Sequence, residues 1–379
     1  MRVLQFGRFW NDQHGGIERH VSLLCKGLAA QGVDVVNLVA ATGLQGSDGM
    51  LDGYRLVQAP SFGKAFSTAM APALVLKALA LQRENPFDVF HLHFPDPLTH
   101  VASMLLPRNV KRVITWHSEI VRQKRLLAVY RPLLQRITRQ ADALVAATQA
   151  HFDSSALIPV DVPASRRYVI PYGLDYAPLQ LTPRTAALRD ALQARAQGRG
   201  LVFTLGRHVY YKGFEVLVEA LRHTDDFLIL GGDGPLRPQL QQQAQALGVA
   251  DRIFFSGRIP EEDLAAYFNA CDVFCLPSVN QMEAFGLVQL EAMACGKPVV
   301  CTQLNNGVNV VNVHGETGLA VPAQDPAALA QALTQLLHDQ PLRQRMGQQA
   351  HVRAHGTYSM AAMTARHIRL YEDLLSDSR

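Results

Sequence analysis

The sequence predicts an α/β protein of two domains, each built on a largely parallel sheet. Three observations predict it. The chain has 379 residues, more than one ordinary domain holds and enough for two. Near its start it runs strand, glycine turn, helix, strand (residues 3–7, 15–16, 17–31 and 35–40), the second strand being a continuous apolar run of the kind buried on both faces. A second series of alternating strands and helices begins at residue 201, after a polar stretch punctuated by Pro178, Pro183, Gly198 and Gly200. Hydrophobic residues make up 48% of the chain and charged ones 18%, which suits sizeable cores and excludes a disordered chain. The expected boundaries are residues 1–172 for the first domain, 173–359 for the second and 360–379 for a last helix that packs back on the first.

In the first domain the pair Gly15-Gly16 opens a helix. A glycine pair there lets backbone N–H groups approach an anion, although a plain tight turn explains it equally, and the spacing is not that of a nicotinamide dinucleotide site. Residues 42–66 read as loop and short strands, 73–84 as helix, and 88–93 as a strand ending at Phe94-Pro95-Asp96-Pro97. Residues 113–116 form another strand, with His117 at its carboxyl end, where open parallel sheets bind ligands. His91, His93 and His100 read as structural. Residues 143–147 and 168–171 complete the strands.

Residues 121–140 hold Arg122, Lys124, Arg125, Arg131, Arg136 and Arg139 and no acid, with Leu126, Tyr130, Leu133, Leu134 and Ile137 at helical spacing. Two readings fit: a basic amphipathic helix for an anionic membrane surface, or a solvated face with a core stripe. Pro132 is expected to end one helix and start another. Charge is uneven along the chain. Residues 1–172 carry 19 Lys and Arg against 12 Asp and Glu, while 173–379 carry 17 against 20. The first half is therefore expected to meet something anionic. No apolar run is long enough to span a bilayer, and Met1–Gly7 is too short and too soon glycine-bound for a signal peptide, so a cytosolic protein is expected. The five cysteines show no CxxC spacing and sit in apolar segments, as reduced core residues do.

The second domain reads as strands at residues 201–205, 227–230, 253–256, 273–276, 298–301 and 319–322, with helices at 214–221, 238–247, 262–270, 285–295, 327–337 and 341–353, a loop at Asn305-Asn306-Gly307, and the last helix at 360–375. Two cations follow its first strand, in Gly206-Arg207-His208-Val209-Tyr210-Tyr211-Lys212-Gly213. A forked guanidinium and a mobile ammonium at the ligand end of a sheet suit a diphosphate; a solvated loop is the plainer reading. Further on, Glu283-Ala-Phe-Gly-Leu-Val-Gln-Leu-Glu291 sets two carboxylates about a helix start at Gly286-Leu287, whose free N–H groups suit a phosphate. The carboxylates suit sugar and ribose hydroxyls. Taken singly, Glu283 also reads as a helix-dipole partner and Glu291 as a surface helix residue.

Gly15-Gly16, the Gly206-Arg207 to Lys212-Gly213 loop, Gly232-Asp233-Gly234-Pro235 and the Glu283–Glu291 motif, in this order, resemble the retaining glycosyltransferases of the GT-B fold, specifically the large family four group. The resemblance implies two Rossmann-like domains facing across a cleft, with a nucleotide-sugar donor held mainly by the second and a lipid-linked or glycan acceptor by the first. It assigns Arg207 and Lys212 to the diphosphate, Glu283 to the donor sugar, Glu291 to the ribose, Phe285, Gly286 and Leu287 to donor contacts, Arg258 to the base, Gly15 and Gly16 to the diphosphate from the first domain, and His117 to the donor sugar. No Asp-x-Asp triplet occurs, and no metal, cofactor or nucleic acid is expected. Residues 303–309 depart from the glycine-rich loop of many relatives. Residues 116–124 and 312–319 are similar to bacterial mannosyl- and rhamnosyltransferases of surface-polysaccharide assembly, which favours a GDP-sugar, while the basic first half favours a place at the inner membrane face. The competing classes are an epimerase or phosphorylase on the same plan, which needs an acid/base pair the sequence does not display, and a non-catalytic sugar-binding module, which needs no diphosphate clamp.

Overall fold

Buried parallel strands must be apolar on both faces, and the chain's apolar runs form two such sheets. The computed structural model describes residues 1–9, 16–65, 68–117 and 124–376. The chain divides into a first unit, Met1–Gly173 with Met360–Arg379, and a second, Leu174–Ser359.

The first unit holds β1 (Arg2–Phe9), β2 (Asp34–Ala40), β3 (Ser47–Leu51), β4 (Tyr54–Ala59), the small hairpin β5 (Lys64–Ala65) and β6 (Thr68–Ala69), β7 (Val89–Phe94), β8 (Lys111–Trp116), β9 (Ala143–Ala146) and β10 (Arg167–Val169). Its helices are α1 (Gly16–Ala30), α2 (Ala73–Glu84), α3 (Pro97–Met104), α4 (Lys124–Gln140) and α5 (Gln149–Asp153). The large sheet runs β10-β9-β8-β7-β1-β2-β4-β3 and is parallel except for the β3–β4 hairpin. Strand alternation sorts its side chains onto two faces. Leu4, Phe6, Phe90, Leu92, Ile114 and Trp116 go to one core, and Val3, Val35, Val89, Val113 and Val145 to the other.

The second unit holds α6 (Pro183–Arg195), β11 (Leu201–Leu205), α7 (Phe214–Ala220), β12 (Phe227–Gly231), α8 (Arg237–Ala246), β13 (Ile253–Gly257), α9 (Leu264–Ala270), β14 (Val273–Leu276), α10 (Leu287–Ala294), β15 (Val299–Thr302), α11 (Gly307–Val311), β16 (Gly318–Val321), α12 (Pro326–His338) and α13 (Gln340–Thr357). Its six-stranded sheet, β13-β12-β11-β14-β15-β16, is wholly parallel. The last helix, α14 (Met360–Ser376), lies in the first unit. There Met363, Leu370 and Tyr371 share a core with Val21, Leu24 and Leu28 of α1.

One local reading is corrected, one is narrowed, and one helix is added. α3 occupies a segment to which the sequence reading gave no element: Asp96 caps it, accepting from Leu98 N at 3.2 Å, and Pro97 takes the first helical position, where its missing N–H costs nothing. Pro132 does not divide α4, because residues 128 and 132 are exposed and water can solvate the carbonyl that Pro132 cannot serve. Of the loop read at Asn305-Asn306-Gly307, Asn305 and Asn306 stay outside any helix, but Gly307 starts α11, with Asn306 Oδ1 capping it by accepting from Val308 N at 3.0 Å. α4 also decides part of its own reading. Leu134 and Ile137 are buried in the core, with Leu127, Tyr130 and Leu133 packed against it, while Arg131, Arg136 and Arg139 stay exposed. Residues 118–123 lie outside the described residues.

Candidate active site

In the second sheet β11 has β12 on one side and β14 on the other, so the chain reverses its direction of build between β11 and β14. Ligands of open α/β sheets bind at such a switch point, outside the carboxyl ends of the strands. The loop after β11 carries Arg207 and Lys212, and the loop after β14 carries Glu283. Gly213 ends the first loop at φ +65°, and a Cβ there would collide with the Pro277 carbonyl oxygen, so glycine allows the two loops to pack backbone to backbone. Val279 N donates to Tyr211 O at 2.9 Å across the same junction. Gly286 caps α10 at φ +68°, and a Cβ would come within 2.6 Å of Leu276 Cδ2. The free N–H groups of α10 therefore begin where the chain turns sharply away from Glu283 and Phe285.

These loops bring together side chains 71 residues apart: Lys212 Nζ donates to Glu283 Oε2 at 2.5 Å, with the two side chains only 12% and 11% exposed. Ser278 Oγ donates to the same oxygen at 3.1 Å. Asn306 Nδ2 donates to the Glu283 carbonyl at 2.7 Å and to Gln281 Oε1 at 3.1 Å, so the residue that caps α11 also holds the Glu283 backbone. Thr302 donates to the Ser278 carbonyl. Glu291, on α10, is buried rather than on the surface, and Phe285 is buried with its ring edge-on to Tyr358. Leu287 is half-buried. Arg207 and Arg258 are exposed, each just past the end of its strand, and neither side chain has a hydrogen-bond partner among the described residues. Sequence reading missed Ser278, Asn306 and Thr302; Asn306 followed by glycine was a helix-cap signal that could have found one of them.

The first sheet has its own switch point, between β1 and β7. Here the polar groups are imidazoles. Period-two alternation puts His91 and His93 on the face of β7 that carries Val89, facing α1 and α14. His93 Nε2 donates to Gln5 Oε1 at 3.0 Å, since an amide oxygen only accepts. His93 Nδ1 then accepts from His117 Nε2 at 3.0 Å, and His117 Nδ1 accepts from the Tyr172 hydroxyl at 2.9 Å. His91 bonds Tyr371 at 2.6 Å and Thr115 at 2.7 Å. Both nitrogens of His117 are thus engaged, and His91 and His93 belong to the same network. Burial holds these groups neutral: it pushes His20, His91 and His117 well below the usual imidazole value, His93 to about 3 and His367 to about 4. His20, beside them on α1, is buried with both ring nitrogens unpartnered. Nitrogens of His20, His93 and His117 lie within 4.8 Å of one another, the trio among the described residues that could hold a metal. Asp96, at the end of β7, is fully buried, and burial raises its carboxyl to about 6. Gly16 is exposed at the start of α1; Gly15 lies outside the described residues.

Residues 14–177 match the family described as Glycosyltransferase Family 4, and residues 190–353 match Glycosyl transferases group 1. Over 93% of its length the chain is 33% identical to the D-rhamnosyltransferase WbpZ of Pseudomonas aeruginosa, covering 91% of that protein. The chain belongs to the family 4, group 1 glycosyltransferases. This glycosyltransferase is also 27% identical to the O-antigen chain mannosyltransferase C of Escherichia coli, over 99% of each chain. Its GT-B fold is that of Anabaena Alr3699/HepE in complex with UDP, with a TM-score of 0.73 and 21% identity over 98% of this chain and 100% of that one.

Proposed function

We propose that this glycosyltransferase moves a hexose from a nucleotide diphosphate sugar to a lipid-linked or polysaccharide acceptor, with retention at the anomeric carbon and without a metal. The observation that carries the reading is the Lys212–Glu283 pair at the β11/β14 switch point, beside the glycine-capped start of α10. A sugar-binding module needs no buried cation at the ligand end of its sheet. A donor with a diphosphate does.

In this reading Lys212, Arg207 and the first N–H groups of α10 at Gly286 and Leu287 receive the diphosphate. As the bond to the anomeric carbon breaks, negative charge grows on the leaving oxygens, and these donors are aimed where it develops. Glu283 orients Lys212 before the donor arrives and accepts from hydroxyls of the sugar, with Phe285 closing the site beneath it. Glu291 accepts from the ribose, and Arg258, leaving β13, lies beside the base. The acceptor hydroxyl attacks from the face the diphosphate leaves, passing its proton to the departing phosphate. The acceptor is assigned to the first unit.

HepE's complex with UDP supports a nucleotide diphosphate donor. The rhamnosyl- and mannosyltransferase relatives, together with residues 116–124 and 312–319, favour a GDP-linked mannose or rhamnose and a place in cell-surface glycan synthesis. Among the described residues no helix is long and apolar enough to cross a membrane. With Leu134 and Ile137 in the core and Leu127, Tyr130 and Leu133 packed against it, contact of residues 127–140 with an anionic membrane would be electrostatic. A thermal-shift series with GDP-mannose, GDP-rhamnose, UDP-glucose and UDP tests the donor, since a ligand that binds only the folded state raises apparent stability by RT ln(1+[L]/Kd). The expected result is stabilisation by one GDP-sugar, lost in Lys212→Ala. No stabilisation by any nucleotide sugar would overturn the reading.

A further inference from the structure

The amino edge of the first sheet holds a cavity of about 360 Å³ lined by Arg108, Arg112, Arg136, Arg139 and Arg166, with Asp142 as its acid. Arg112 and Asp142 stand at the starts of β8 and β9, and Arg166 just before β10; the other walls come from the end of α3 and the last turn of α4. His117 lies beyond the far end of β8, six residues of strand away, or roughly 16–20 Å at about 3.3 Å per residue. The cavity is therefore separate from the switch point of its own sheet.

Three of the five arginines have protein partners. Arg112 donates to carbonyls at the end of α3, including Pro107 O at 2.9 Å and Ser103 O at 3.2 Å. Arg166 donates to Arg139 O at 3.2 Å, a carbonyl of the last turn of α4, and Arg139 Nε pairs with Asp161 at 2.8 Å. Arg108 and Arg136 are exposed and have no side-chain hydrogen bond or ion pair with any described residue. Asp142 pairs with neither of them: it accepts from Arg112 N at 2.8 Å and lies 3.6 Å from Lys111 Nζ. Like charges are thus held together around a recess without enough acids to balance them. Burial lowers the Arg112 guanidinium from its ordinary value; Asp142 opposes this and neighbouring Arg108 adds to it. Repulsion of this kind is relieved by an anion. Guanidinium forks match phosphate oxygens in pairs, and the volume fits a phosphate ester of headgroup size.

We infer that this arginine-lined cavity is a second anion site of the protein, which takes a phosphate group, either from an anionic phospholipid headgroup or from a soluble phosphate ester. It stands apart from the donor-site reading, and its test reads binding rather than transfer. The variant is Arg108→Gln with Arg136→Gln, which removes the two unpartnered cations and leaves the carbonyl-capping arginines in place. Arg131→Gln, an exposed position of α4 that does not line the cavity, controls for general loss of charge. Inorganic phosphate, titrated at constant ionic strength against chloride, is expected to raise the melting temperature of the wild type and of the control, with an affinity at least about tenfold weaker in the double variant. Vesicles of phosphatidylcholine containing phosphatidylglycerol form the second arm. If the double variant binds them markedly more weakly than the control, the phosphate belongs to a lipid headgroup. If phosphate binding alone is lost, the source is a soluble ester. If the double variant matches the control in both arms, or phosphate protects no better than chloride, the site does not exist.

Discussion

Each sheet sets polar side chains at its switch point, and the two sets are chemically opposite. The edge of the second sheet keeps its charges: a Lys212–Glu283 pair, with Arg207 and Arg258 in solvent. The edge of the first sheet has a network of neutral rings, in which Gln5, His91, His93, His117, Tyr172 and Tyr371 satisfy one another. The difference follows from what covers them. α1 and α14 pack over the first network, and a buried group that cannot pair with a counter-charge must give up its own. In the second unit glycines bring the loops close enough for a cation to find a carboxylate.

Acid should therefore separate the two units, and this is the largest effect expected. A histidine whose folded pKa is depressed is neutral in the fold and protonated in the unfolded chain below about 6.5. Its stabilisation is complete above that pH and is lost as pH falls, through about 4 for His367 and about 3 for His93. His20, His91, His100 and His117 shift in the same direction by burial; in the second unit His208 does so. Each such group costs about 1.4 kcal/mol per pH unit below its unfolded value. Asp96, raised to about 6, runs the other way: in the fold it holds its proton between that value and its ordinary 3.8, which offsets part of the loss. Hydrogen exchange between pH 7 and 4.5 should show β1, β7 and β8 losing protection well before β11 and β14. Equal loss in both units would break the comparison.

Next in size is the pair itself. Removing one partner of a buried pair leaves the other uncompensated, at a cost of about 3 kcal/mol. Lys212→Ala should lower the melting temperature of the second unit, and Glu283→Ala should do so less, since a freed lysine can reach water. Both should reduce sugar transfer by roughly 10²–10³-fold or more with the fold retained. Full activity in both variants would remove these residues from the site.

The halves also differ in charge. α4 presents Arg131, Arg136 and Arg139 to solvent and keeps its apolar stripe for the core. Binding to anionic vesicles should then be electrostatic, at about 1 kcal/mol per cation near the surface. Lys124→Glu with Arg125→Glu should weaken binding by at least about tenfold and make its salt dependence shallower, though not abolish it, because most of the basic face remains. Unchanged binding would favour the reading of α4 as a solvated helix.

The fold class was legible because buried parallel strands cannot hide: 201–205, 273–276 and 113–116 are apolar runs ending in glycine, proline or histidine. The bounds of α2 were legible for a related reason, since Pro72 and Asn85 flank an uninterrupted helical stretch. What failed was local and polar. Asp96-Pro97 and Asn306-Gly307 are cap signals whose helices, α3 and α11, span only eight and five residues, too short to show a helical period in the sequence. Glu291 looked like a surface residue because one residue on a helix says nothing of what covers it. The candidate site was legible as a set of residue types in order, but not as contacts. The pairing of Lys212 with Glu283 depends on two loops crossing at Gly213. The imidazole network depends on α14, which lies far along the chain from β7.

The smallest effect expected probes what holds the charged edge in place. Asn306 does two things at once: its Oδ1 caps α11 at Val308 N, and its Nδ2 ties down the Glu283 carbonyl and Gln281. Asn306→Ala loses both, at about 1–2 kcal/mol in stability. Asn306→Asp separates them. A carboxylate still accepts from Val308 N, and its charge favours the start of α11, but it has no proton to offer the Glu283 carbonyl and repels it. If the asparagine matters only as a cap, the Asp variant should recover both the melting temperature and the transfer rate. If it positions Glu283, the Asp variant should recover most of the stability while kcat stays several-fold down at little change in acceptor KM. The second outcome is expected, because the carboxylate that meets Lys212 can be no better placed than the backbone that carries it.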